Sequence, residues 1–152
     1  MLVVPFAEAT MSQRNIDAQR RIVDAVNSGK LDVLRELIAP GVVDHDLAEN
    51  QGPGPEGYIQ FFTDLRHAFP DLKVEVKHLI ADEHNVAIAY KMCGMHKGPF
   101  MDVPATGHTV MVRGVQIARF YGGQMVERWG ALDELGILEQ LGVMAGRNRV
   151  MA

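Results

Sequence analysis

Cysteine is all but missing. Cys93 is the only one, which excludes an intramolecular disulfide and a cysteine-built zinc cage. A reducing, cytoplasmic setting fits that usage. Basic residues are also in short supply: 15 Lys and Arg stand against 19 Asp and Glu, for a formal net charge of −4. Neutralising phosphates needs the opposite surplus, so nucleic acid is not an expected partner. No apolar run approaches the roughly 20 residues that span a bilayer, so neither is a membrane. The apolar start, Met1 to Ala7, is too short for a secretory signal and lacks its basic beginning. The spacings H-E-x-x-H, Walker loop and G-x-S-x-G do not occur. His67, His78, His84 and His108 are scattered without ligand spacing, so no metal site is expected.

What is present suits one domain. A chain of 152 residues that is 47% apolar can bury a core without a covalent staple. The domain is expected over 12–142, after a flexible arm at 1–11 and before a tail at 143–152. Ser12 to Ser28 reads as a helix capped by Ser12, with Ala18, Ile22, Ala25 and Val26 on one face and Gly29 as its stop. Leu31 to Ile38 gives a shorter helix that must end near Pro40. A loop over 41–57 follows, and Pro55 opens a third helix. In that helix Tyr58, Phe61, Phe62, Leu65 and Phe69 form an aromatic stripe.

After Pro70 the apolar period drops to two. Val74 and Val76 mark a half-exposed strand, and long strands follow over 86–96, 109–121 and 124–129, with Gly122-Gly123 as a hairpin turn. A helix over 135–141 closes the domain. Helices followed by an antiparallel meander exclude a parallel βα fold and imply α+β: a curved antiparallel sheet wrapped by the N-terminal helices. The long strands are apolar on both faces. One face meets the helices, and the other predicts a homodimer or higher homo-oligomer.

Three segments then carry a resemblance. They are Gly54-Pro55-Glu56-Gly57-Tyr58 through Phe69-Pro70-Asp71-Leu72; His96-Lys97-Gly98-Pro99-Phe100-Met101 with Pro104-Ala105-Thr106-Gly107; and Gly123-Gln124-Met125-Val126-Glu127-Arg128-Trp129 with Asp133 and Gln140-Leu141-Gly142. In this order they resemble the SnoaL-like polyketide cyclases, which adopt the nuclear-transport-factor-like cone. The resemblance implies an enzyme without cofactor or metal that closes a ring in a polyketide-derived, largely apolar small molecule held in an internal pocket. An aldol closure needs a carboxylate to take a proton alpha to a carbonyl, and donors to hold the enolate oxygen.

The sequence departs from the family pattern at that base. The position of the cyclases' catalytic aspartate holds Gly130, the pocket histidine falls on Gln116 and the pocket asparagine falls on Asp44. A replacement base is expected from Asp44, His45 or Asp133, although Asp133 is also a natural helix cap. Open alternatives are a hydroxylase or pericyclase that needs little proton transfer, and a binding protein without catalysis. Gln116, mid-strand among apolar neighbours, needs a partner when buried and is expected to face the cone. Arg128 shares strand parity with Gly130 and can offset enolate charge. His96 can bond a substrate carbonyl. Tyr58, Phe62 and Phe100 complete the expected substrate-binding set. Trp129 joins it only if a bulge re-aims it, because parity puts it with Glu127 on the opposite face.

Overall fold

A computed structural model of the chain describes residues 8–144. Most of the expected arm at 1–11 and of the tail at 143–152 lies outside the described residues. Helix α1 (Met11–Ser28) is capped by Thr10, not Ser12: the Thr10 hydroxyl accepts from Gln13 N at 3.1 Å. Threonine offers its oxygen two residues earlier, and Ser12 falls inside the first turn. The buried face of α1 contains Ala18, Ile22, Ala25 and Val26, but also Asn15 and Gln19. None of the described helices is long and apolar enough to cross a membrane.

The largest difference from the sequence pattern lies at 38–44. A 3-10 turn (Leu31–Val33) and a short α2 (Leu34–Leu37) run straight into β1 (Ile38–Asp44), where the pattern implies the end of a helix near Pro40 and a loop from 41. Pro40 is tolerated because an edge strand pairs on one side only. Helix α3 (Gly54–Ala68) opens with Pro55 in its first turn and buries Tyr58, Leu65 and Ala68. The strands β2 (Lys73–Ala81), β3 (Asn85–Met95), β4 (Thr109–Tyr121) and β5 (Gln124–Leu132) then form the meander that the alternation implies. Helix α4 (Glu134–Gln140) closes the chain.

The curved sheet has the order β1-β5-β4-β3-β2. All neighbours are antiparallel except β1, which lies parallel to β5. A parallel pair joins strands distant in sequence, so no hairpin signal announces it. The fold is α+β, with the helices on one face. Along β4 the inner-face residues Val110, Val112, Ala118 and Phe120 are buried, while Met111, Val115, Ile117 and Tyr121 on the other face are exposed. Two apolar clusters hold the layers together. One joins α1 and α2 to β3 and β4 through residues such as Ile22, Leu34, Val86 and Phe120. The other joins the end of α3 to β4 and α4 through Phe69, Val112 and Ile137.

Candidate functional site

Between the helices and the concave face of the sheet lies a cavity of about 360 Å³, within the range of small-molecule sites. Its apolar wall includes Ile22, Val26, Phe62, Leu65, Ile88 and Met92. Two strand glycines shape it. A Cβ at Gly114 would lie 2.4 Å from the Tyr90 hydroxyl and ring, and a Cβ at Gly130 would lie 2.4 Å from Arg128 Nη2. Glycine inside a strand marks such a close approach. Here it admits the ring of Tyr90 and the guanidinium of Arg128, both of which line the cavity.

Register places the polar residues. Gln116 pairs with Gly130 and Ala118 with Arg128 across β4 and β5. The irregularity in that ladder lies between Arg119 and Phe120, ahead of Arg128. Arg128 and Gly130 therefore keep the same, inner face. Arg128 Nε donates to Gln116 Oε1 at 2.7 Å, and Gln116 Nε2 donates to Gln19 Oε1 at 3.2 Å. Arg128 Nη1 donates to Asp44 Oδ1 and Oδ2 at 3.2 and 3.1 Å. The Tyr58 hydroxyl donates to Asp44 Oδ2, and Asp46 N donates to Asp44 Oδ1 at 2.8 Å.

This chain of bonds explains how charge survives inside. The Asp44 side chain is 2% exposed and that of Arg128 18%. Such a pair is tolerated only when further hydrogen bonds satisfy both partners. Burial, reinforced by the hydrogen bond to Asp44, pushes the Tyr58 hydroxyl well above its usual pKa. It stays a neutral donor. Burial also raises Tyr90. Arg128 Nη2 is left over: among the described residues it has no hydrogen-bond partner, and it lies over Gly130 at the cavity. The amide nitrogen of Gln19 is in the same condition.

The structure brings together Asp44, Tyr58, Phe62, Gln116 and Arg128 of the expected set, and separates the rest. His45 is on the opposite face of the sheet. It follows Asp44, the last residue of β1, and its N–H still pairs with Arg128 O at 2.9 Å, so its side chain points the other way. There its Nε2 meets Glu127 Oε2 at 2.7 Å and its ring stacks on Trp129 at 4.8 Å. Trp129 likewise stays outside, because no bulge re-aims it. The Asp133 carboxylate caps α4 by accepting from Gly136 N at 2.8 Å. His96 is fully buried away from the cavity, where its Nδ1 lies 3.1 Å from Thr106 N. Phe100 packs edge-on against Phe69, also away from the cavity.

Among the polar residues of the wall, Gln19, Asp46, Gln51 and Glu134 have no place in the sequence-based set. Gln19 carries a signal, an amide on the buried stripe of α1 that is otherwise mostly apolar. Gln51 has a buried amide nitrogen without a protein partner. Asp46 and Gln51 lie in the segment between β1 and α3, and only the tertiary fold brings that segment over the cavity. Among the described residues no three His, Cys, Asp or Glu side chains gather as a metal-ligand set.

Known proteins share this architecture. Aklanonic acid methyl ester cyclase DauD from Streptomyces sp. (strain C5) is 29% identical over 134 residues, spanning 84% of this chain and 81% of the relative. The corresponding cyclase DnrD from Streptomyces peucetius is also 29% identical over 134 residues, spanning 84% of this chain and 90% of the relative. The crystal structure of IdmH from Streptomyces antibioticus superposes with a TM-score of 0.72 at 33% identity, covering 85% of this chain and 99% of IdmH. The sequence profile of the SnoaL-like polyketide cyclases matches residues 16–141. The chain belongs to the SnoaL-like polyketide cyclase family.

Proposed function

We propose that the protein is a cofactor-independent cyclase or isomerase that closes a ring in a polyketide-derived, largely apolar ester. The observation that carries this reading is the buried bond chain Gln19–Gln116–Arg128–Asp44–Tyr58 along one wall of an otherwise apolar cavity. An apolar wall accepts the carbon skeleton of such a substrate, and a few fixed polar groups set its orientation. Arg128 Nη2 is a charged donor held by its own side chain's two anchors, Gln116 and Asp44. Placed against a carbonyl oxygen, it stabilises the enolate charge that develops when the neighbouring carbon loses its proton, without reorganising at that moment. The neutral Tyr58 hydroxyl keeps Asp44 in place and does not compete for that proton.

The cyclase relatives are named for aklanonic acid methyl ester, which makes that ester the first probe. Incubation with the pure protein, followed by chromatography and NMR of the products, is expected to give a ring-closed isomer of unchanged mass. Gln116→Ala removes one anchor of Arg128 and is expected to lower turnover. Recovery of intact ester after prolonged incubation, with tight binding, would favour a non-catalytic binding protein. A homodimer through the apolar outer face of the sheet belongs to the same proposal.

A further inference from the structure

Ring closure by enolate attack needs a base, and Asp44, Asp133 and His45 are already committed. Of the two other carboxylates that line the cavity, Asp46 and Glu134, only Asp46 is held by a hydrogen bond to Gly130 N, beside Arg128. Asp44 accepts from Arg128 Nη1, the Tyr58 hydroxyl and Asp46 N, so both of its oxygens are occupied inside the protein. Asp133 caps α4. His45 faces the other side of the sheet, against Glu127. Protonating Asp44 would also break its pair with Arg128 and leave the cation buried.

Asp46 differs from Asp44 in each respect. It lines the cavity, as do Arg128 and Gly130. Its Oδ2 accepts from Gly130 N at 2.9 Å, which fixes the carboxylate. Its Oδ1 has no hydrogen-bond partner among the described residues. No cationic nitrogen of the described residues lies within 4.0 Å of it. Gly130 therefore has two neighbours: the Asp46 carboxylate on its backbone N–H, and Arg128 Nη2 over its Cα. A side chain at 130 would collide with the guanidinium. An unpaired acceptor and an unpaired cationic donor flank one bare stretch of backbone at the cavity wall, and they do not neutralise each other.

We infer that Asp46 is the general base of the ring closure, working opposite Arg128 across Gly130; this rests on the cyclase reading above. Asp46 Oδ1 takes the proton from the carbon next to the ester carbonyl. The electron pair of that C–H bond passes into an enolate whose oxygen is held by Arg128 Nη2. The enolate carbon then bonds to a second carbonyl carbon of the same molecule, and the π pair of that carbonyl moves to its oxygen. That oxygen recovers the proton from Asp46. The product is an isomer of the substrate, the carboxylate is regenerated, and no co-reactant is consumed.

The test compares the wild type with Asp46→Asn, which retains an oxygen to accept from Gly130 N and so preserves the anchor. Two readouts are taken with aklanonic acid methyl ester in D₂O: ring closure by chromatography, and exchange of the proton alpha to the ester carbonyl by NMR. Asp46→Asn is expected to lower kcat for closure and the exchange rate together, by about 10²- to 10⁴-fold, with KM and melting temperature nearly unchanged. Asp46→Glu is expected to restore part of the rate. Closure by Asp46→Asn at the wild-type rate would overturn the base assignment and leave the cyclase reading standing. Exchange without closure, lost in Asp46→Asn, would support the base and remove the cyclase reading. A wild type that catalyses neither step would overturn both.

Discussion

The two faces of the sheet are built by the same strands and differ by one residue of offset. On the concave face Gln116 and Arg128 are tied into a five-residue chain of hydrogen bonds. On the convex face their neighbours Val115, Ile117 and Trp129 are 58%, 48% and 38% exposed. Alternation with period two makes this separation strict, since a slip of one residue would exchange every side chain between the faces. Polar groups on the concave face must find partners, because desolvation without a bond is costly. Apolar groups on the convex face face no such demand, and they are the surface that the proposed homodimer would cover. The inner face is thus specified by complementary bonds and the outer face by bare area, and the two should fail in different ways.

The largest effect is expected from breaking the buried ion pair. Arg128→Met leaves the Asp44 charge without its partner and should cost about 3–5 kcal/mol, measured by urea unfolding. Adding Asp44→Asn should recover a large part of that loss, because the stranded charge is gone. A single variant as stable as the wild type would mean that Asp44 is not held by Arg128.

Next comes Tyr58→Phe, which removes one donor to Asp44 and is expected to cost about 1–3 kcal/mol. The raised pKa of Tyr58 adds a pH signature. Above the unfolded tyrosine value of about 10, the unfolded chain releases a proton that the native state retains, so stability falls as pH rises. Below that value the contribution is fully present. The alkaline loss of stability, followed by circular dichroism, should be shallower in Tyr58→Phe than in the wild type.

The smallest effect on the monomer's stability is expected on the convex face. Ile117→Ser should change unfolding free energy by no more than about 0.5 kcal/mol, as at other exposed positions, yet shift the mass measured by light scattering from dimer to monomer. A wild type that is monomeric at every concentration would remove the dimer proposal and narrow the contrast between the faces.

Much of this contrast was legible in the sequence. The period change after Pro70 located the meander, and residues 109–121 were read as a strand with its observed limits. Strand parity put Arg128 with Gly130 and sent Trp129 to the other side. The parts that were not legible depend on contacts between distant segments. Pro40 and Gly41 resemble loop punctuation, so β1 was hidden, and only its pairing with β5 reveals it. Asp44 ends that strand, and His45, whose N–H still pairs with Arg128 O, turns to the opposite face. Asp46 owes its place to a backbone N–H on β5, 84 residues away in sequence, and no local pattern encodes that. Gln19 was legible in principle, as an amide on a stripe that is otherwise mostly apolar.

The most direct measurement is a crystal structure of the protein with aklanonic acid methyl ester or its ring-closed isomer bound. The ligand is expected in the concave cavity, with a carbonyl oxygen within about 3.2 Å of Arg128 Nη2. A ligand seated on the convex face, or an Arg128 turned away to bulk solvent while the cavity stays filled by side chains, would contradict a concave-face site.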